Sequence, residues 1–110
     1  MFEQLLRNYF DLFSSKNLLE LEKMFDPLIT LQDWNIQASG LCNVVEETAK
    51  IFSSVSSIQV KPLHIYIDSA NCTAIAELHI IIDESECLNV VDIVKFTDQG
   101  KIFSINAYQQ

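Results

Sequence analysis

Near the start of the chain, hydrophobic residues recur at helical spacing. Phe2, Leu5, Leu6, Tyr9, Phe10 and Phe13 stand at i, i+3, i+4, i+7, i+8 and i+11, which puts them on one helix face. Glu3, Gln4, Arg7, Asn8 and Asp11 fall on the other face. Ser14-Ser15-Lys16 breaks the repeat. Asn17, followed three residues later by Glu20, predicts a capping box at the head of a second helix. That helix carries Leu18, Leu21, Met24 and Phe25 and stops at Asp26-Pro27, because proline disfavours helical geometry in the residue before it. Ile29, Leu31 and Asp33 then alternate with Thr30, Gln32 and Trp34, the period of a short strand. A third helix is predicted after Ser39-Gly40, with Leu41, Val44, Val45, Thr48, Ile51, Phe52 and Val55 as its buried stripe.

The second half changes period. Four long strands are predicted, at about Ile58–Ser69, Cys72–Asp83, Cys87–Thr97 and Lys101–Tyr108, separated by short polar turns such as Asp98-Gln99-Gly100. Turns that short favour antiparallel hairpins. Pro62 predicts an edge position or a bulge in the first of these strands. Helices followed by a strand meander argue for an α+β fold, three N-terminal helices packed on one face of a curved, mainly antiparallel sheet. With 110 residues, no linker and no repeat, the expectation is one domain over residues 1–110.

Charge narrows the partners. Seven Lys and Arg against fifteen Asp and Glu leave a formal net charge of −8. Such a surface repels the phosphate backbone of nucleic acid and disfavours anionic membranes. No apolar run is long enough for a membrane helix. Met1-Phe2-Glu3-Gln4 lacks the basic region and cleavage site of a signal peptide, so a cytoplasmic location is expected. Two isolated glycines, Gly40 and Gly100, cannot cradle a phosphate. Cys42, Cys72 and Cys87 have no disulfide or Cys-x-x-Cys spacing and read as small core or surface residues.

The candidate chemistry lies where the pattern turns polar groups inward. Leu88, Val90, Asp92, Val94 and Phe96 share one strand face, so Asp92 sits among apolar neighbours. Asp33 shares a face with Ile29 and Leu31, and Tyr9 lies on the apolar face of the first helix. Burying an unpaired carboxylate is costly, and its pKa rises instead. An inward aspartate can also simply accept backbone hydrogen bonds, and a tyrosine on an apolar face commonly keeps its hydroxyl at the rim. Three such groups from three elements point to a site.

These positions also carry a resemblance. The stretch from Leu5-Leu6-Arg7-Asn8-Tyr9 to Thr30-Leu31-Gln32-Asp33 is similar to steroid Δ-isomerases (ketosteroid isomerases) and SnoaL-like polyketide cyclases of the nuclear transport factor 2-like superfamily. Val90-Val91-Asp92-Ile93-Val94-Lys95-Phe96, with Gly100-Lys101-Ile102 and Ala107-Tyr108, resembles the last hairpin of that family. The resemblance implies a cystatin-like cone enclosing an apolar pocket. It implies Asp33 as a base that moves a proton next to a carbonyl, with Tyr9 and a neutral Asp92 as donors to the enolate oxygen. It implies a small apolar substrate and neither metal nor organic cofactor. Phe13, Phe52, Leu88, Val90 and Ile105 are the expected substrate-binding walls. Phe25 and Thr48 stand where the family often has supporting tyrosines, Trp34 where a proline follows the base, and Gln109 where an aromatic is expected.

Other readings follow from the same residues. A non-catalytic ligand-binding or dimerisation module would use the same fold without a proton mover, and a purely structural one would fill the cavity. Epoxide hydrolysis would need an arginine between the acids, and the sole arginine, Arg7, is on the wet helix face. Glu77 and His79, with His64 on the preceding strand, predict a surface or interface ion pair rather than a metal site. Val91, Ile93, Ile75 and Ile81 point away from the inward set and predict a homodimer through the outer sheet face.

Overall fold

A computed structural model describes residues 1–110. The elements run α1 (Phe2–Ser14), α2 (Leu18–Met24), β1 (Phe25–Gln32), β2 (Gln37–Ser39), α3 (Leu41–Ser54), β3 (Ile58–Asp68), a 3₁₀ turn at Ser69–Asn71, β4 (Thr73–Ile82), β5 (Glu86–Phe96) and β6 (Ile102–Gln109). The six strands form one sheet in the order β2-β1-β6-β5-β4-β3. Every pairing is antiparallel except β1 with β6, which is parallel. The sheet is curved and unclosed, and the three helices pack against it, an α+β architecture.

The helical spacing predicts α1 well. Leu6, Tyr9 and Phe10 are buried on its inner face. At α2 the capping box is only half formed. The Asn17 side chain accepts from the Glu20 N–H at 3.2 Å, while the Glu20 carboxylate turns outward to Lys23 at 2.7 Å instead of reaching back. The helix ends at Met24, and Phe25 already belongs to β1. Asp26-Pro27 therefore ends no helix. It lies in a strand whose register with β6 shifts between Phe25 and Thr30, where Asp26 accepts from the Leu28 N–H at 2.9 Å. Strand β2, three residues long, has too few positions to show a period and was not predicted. Gly40 then turns the chain into α3 with φ +88°, a conformation side-chain-bearing residues rarely adopt. Val44, Thr48 and Phe52 are the buried residues of α3, and Val55 lies just beyond its end.

The meander follows the predicted alternation. On β5, Val90, Asp92, Val94 and Phe96 are buried while Glu86, Cys87, Asn89 and Lys95 are exposed. On β4, Ala74, Ala76 and Leu78 are buried, and Glu77 between them is exposed. Pro62 meets both expectations: β3 is the sheet edge, and its register with β4 shifts between Pro62 and His64. The edge thus carries no demand for the N–H that proline lacks. The core gathers Leu6, Phe10, Leu21, Ile29, Val44, Leu78, Val94, Phe96 and Ile102 between helices and sheet. No helix is long and apolar enough to cross a membrane.

Candidate active site

Helices and sheet do not close completely on each other. They leave a cavity of about 370 Å³, most of its lining hydrophobic. That is near the lower end of the roughly 300–1,000 Å³ typical of small-molecule sites. Tyr9, Asp33 and Asp92 all line it, together with Phe13, Leu88, Val90 and Ile105. Phe52 does not. It is buried behind the wall, with its ring edge-on to Phe13 at 4.9 Å between centroids, so it fixes the Phe13 ring instead of meeting a ligand.

Sheet register explains how the two acids come together. Asp92 pairs with Ala76 on one side and with Ala107 on the other. The parallel β1–β6 ladder sets Leu31 beside Ile105 and Gln32 beside Asn106, so one further step brings Asp33 level with Ala107. Asp33, Ala107, Asp92 and Ala76 therefore form one row across the sheet. Two strand spacings separate the backbones of the acids, about 10 Å. Alanines on both sides of Asp92 leave open the space that larger side chains would fill.

Asp92 is 8% exposed and Tyr9 5%. Neither side chain makes a hydrogen bond within the protein, yet no fully enclosed side-chain polar atom is without a partner. Their polar atoms must therefore open on the cavity. Burial pushes the Asp92 carboxyl up to about 7, with the negative charge of Asp33 adding to the effect. The Tyr9 hydroxyl is raised well above its ordinary value by burial first and by Asp92 and Asp33 after it, so it stays a protonated donor. Thr48 lines the cavity but gives its hydroxyl to the Val44 carbonyl at 2.8 Å, and Phe25 lies 6.3 Å from the Tyr9 ring without a polar group. Tyr9 is left free to donate to a ligand.

Asp33 departs from its expected setting. It sits one residue beyond β1, in the turn to β2, and is half-buried. Its Oδ1 accepts the N–H groups of Asn35 and Ile36, each at 2.7 Å, and its own N–H donates to the Ile36 carbonyl at 2.9 Å. This Asx turn ends the strand and aims the second oxygen, Oδ2, which has no protein partner. The desolvation expected from a strand position between apolar neighbours is therefore incomplete. The same turn brings Trp34, Asn35 and Ile36 to the cavity, and Glu86 and Gln109 also line it. Trp34 and Gln109 were marked only by the resemblance, and Asn35, Ile36 and Glu86 were not identified from the sequence, because they lie at element ends where no period operates.

Two further expectations change on the outside. Glu77 forms no ion pair with His64 or His79; it accepts from the Tyr66 hydroxyl at 2.9 Å. Arg7 pairs with Glu3 at 3.1 Å on the exposed face of α1, away from the acids.

Comparison with solved structures decides the architecture. An NTF2-like protein of unknown function from Cytophaga hutchinsonii superposes with a TM-score of 0.83 at 10% identity, over 100% of this chain and 90% of that one. The chain has a nuclear transport factor 2-like fold. SalBIII, an epoxide hydrolase/cyclase-like enzyme with a role in pyran ring formation in the polyether salinomycin, matches with a TM-score of 0.86 at 15% identity, over 99% of this chain and 90% of that one. A candidate ketosteroid isomerase from Kribbella flavida matches at 0.84 and 14% identity, over 99% and 77%. No protein-family model matches the chain, and a search of curated proteins finds no match. In this fold, Asp92 stands on the sheet face that lines the cavity.

Proposed function

We propose that the protein is a cofactor-free enzyme of the isomerase or cyclase type, moving a proton next to the carbonyl of a small apolar compound. The observation that carries this reading is the set of unpartnered polar groups, Tyr9, Asp92 and Asp33 Oδ2, around one apolar cavity. Asp33 takes the α-proton through its free oxygen. Tyr9 and protonated Asp92 donate to the oxygen on which the enolate charge develops; an apolar site keeps a carboxylic acid neutral for this purpose. The solved structures of similar fold support the class of chemistry, since a candidate isomerase and an epoxide hydrolase/cyclase-like enzyme are among them.

The test is deuterium exchange at the α-carbon of a cyclic β,γ-enone, followed by NMR, with wild type beside Asp33→Asn. Exchange in wild type that collapses in the variant is the expected result. Equal exchange in both removes Asp33 as the base, and none in either ends the proposal and leaves a ligand-binding module.

The reading includes a homodimer through the outer sheet face. Val91, Ile93, Ile75 and Ile81 are only partly covered there, and Tyr66 and Tyr108 are exposed beside them. Sedimentation at micromolar concentration should give twice the mass of the chain; a monomer would refute the pairing.

A further inference from the structure

We propose that the same cavity binds a second ligand class, small apolar primary amines, with the ammonium held between Asp33 and Asp92. The inference rests on the cavity and its acids, and not on proton transfer by Asp33.

The charge of the lining points this way. Its ionisable residues are Tyr9, Asp33, Glu86 and Asp92; no Lys, Arg or His reaches the cavity. Hydrogen-bond capacity points the same way. Asp33 Oδ2 and both oxygens of Asp92 are acceptors without a protein donor. Beside the acids the Tyr9 hydroxyl is free to donate while Thr48 is engaged with Val44, and the remaining side-chain donors, on Trp34, Asn35 and Gln109, come from element ends. An ammonium brings three donors and no acceptor, the complement of such a wall. It also brings the counter-charge that an ionised, 8%-exposed Asp92 otherwise lacks. Phe13, Leu88 and Val90 offer apolar surface to the rest of the molecule. A carboxylate on the same ring frame would meet the charge of Asp33 and, above pH 7, of an ionised Asp92, which disfavours it there.

Protonation of Asp92 selects between the ligand classes. The groups near it are Tyr9 from α1 and Asp33 from the β1–β2 turn; Glu86 lines the cavity at the far end of β5, and α3, β3, β4 and β6 contribute no charge to the lining. In its acid form Asp92 donates to an oxyanion; in its ionised form it accepts from an ammonium. With Asp92 titrating at about 7, amine binding strengthens as pH rises from 6 to 8 and oxyanion binding weakens.

The experiment is calorimetric titration of the full chain with 2-aminotetralin, 2-tetralol and tetralin-2-carboxylate at pH 6 and pH 8. The amine should bind more tightly at pH 8, by up to about tenfold if only the ionised form accepts it. The alcohol should bind alike at both, and the carboxylate, an oxyanion, more weakly at pH 8 than at pH 6. Asp92→Asn should remove the pH step and reduce the amine to the affinity of the alcohol. An amine that binds no better than the alcohol at pH 8, or shows no pH step in wild type, overturns the inference even if the variant fails to fold. Exchange activity without amine binding sinks this inference alone; amine binding without exchange sinks the catalytic reading alone.

Discussion

The inner wall and the mouth of the cavity each hold an aspartate, and they hold it by opposite means. Asp92 is on the inward face of β5, flanked by alanines, with no hydrogen bond to the protein and no Lys, Arg or His in the cavity around it. Asp33 is in a turn, half-buried, with one oxygen tied to two backbone N–H groups. Burial without partners raises the first acid into the neutral range. Backbone donors orient the second and leave it one free oxygen. In the proposed reaction these settings suit the two residues to different tasks, one to give a proton in a hydrogen bond and one to receive a proton from carbon.

The largest expected effect breaks the mouth. Asp33→Asn keeps an oxygen for the turn but has no basic carboxylate, so α-proton exchange should fall roughly 10²–10⁴-fold, the usual contribution of a general base. Thermal unfolding should change little. A variant that exchanges at the wild-type rate would assign the proton to another group.

The next effect breaks the inner wall. In unfolded chain Asp92 ionises near its ordinary value of 3.8, while in the folded protein it holds its proton to about 7. Between these values the folded state binds the extra proton, so stability is full below about pH 4 and declines as pH rises towards 7. The decline is on the order of 4 kcal/mol, levelling off above 7. Asp92→Asn should remove this slope and be more stable than wild type at pH 8. Urea unfolding at pH 4.5 and pH 8 measures it; parallel pH profiles for the two proteins would contradict it.

Two smaller effects sharpen the contrast. Asp33→Ala removes both turn hydrogen bonds and should cost about 1–2 kcal/mol, where Asp33→Asn costs little, by the same denaturation assay. Finally, Asp33→Asn should lower the Asp92 pKa, by less than burial raises it, because the Asp33 charge is the lesser of the two causes. Carboxyl-carbon NMR of Asp92 in both proteins reads the difference directly. An unmoved titration would mean that the two acids do not sense each other across Ala107.

Strand alternation in β5 was enough to turn Asp92 inward, and the repeat of α1 was enough to bury Tyr9. Both follow from local geometry: one face of a regular element is set by its period, whatever it packs against. Asp33 was harder to read. The alternation from Ile29 extends to it on paper, but the strand ends at Gln32 because an aspartate side chain can satisfy the next backbone N–H groups itself. Phe25 was misplaced for the related reason that a short helix running directly into a bulged strand leaves no turn residues between them.

The sequence by itself determined which side chains each long element would bury, where the glycine turns fall and how negative the surface is. Those properties depend on residue spacing and composition alone. Only the tertiary structure decided that Asp33 and Asp92 share a row, that Phe52 stands behind Phe13, and that Glu77 turns to Tyr66 rather than to a histidine. The row depends on a parallel pairing between β1 and β6, strands separated by most of the chain. Register between distant strands is set by how the whole core packs, which no local period encodes.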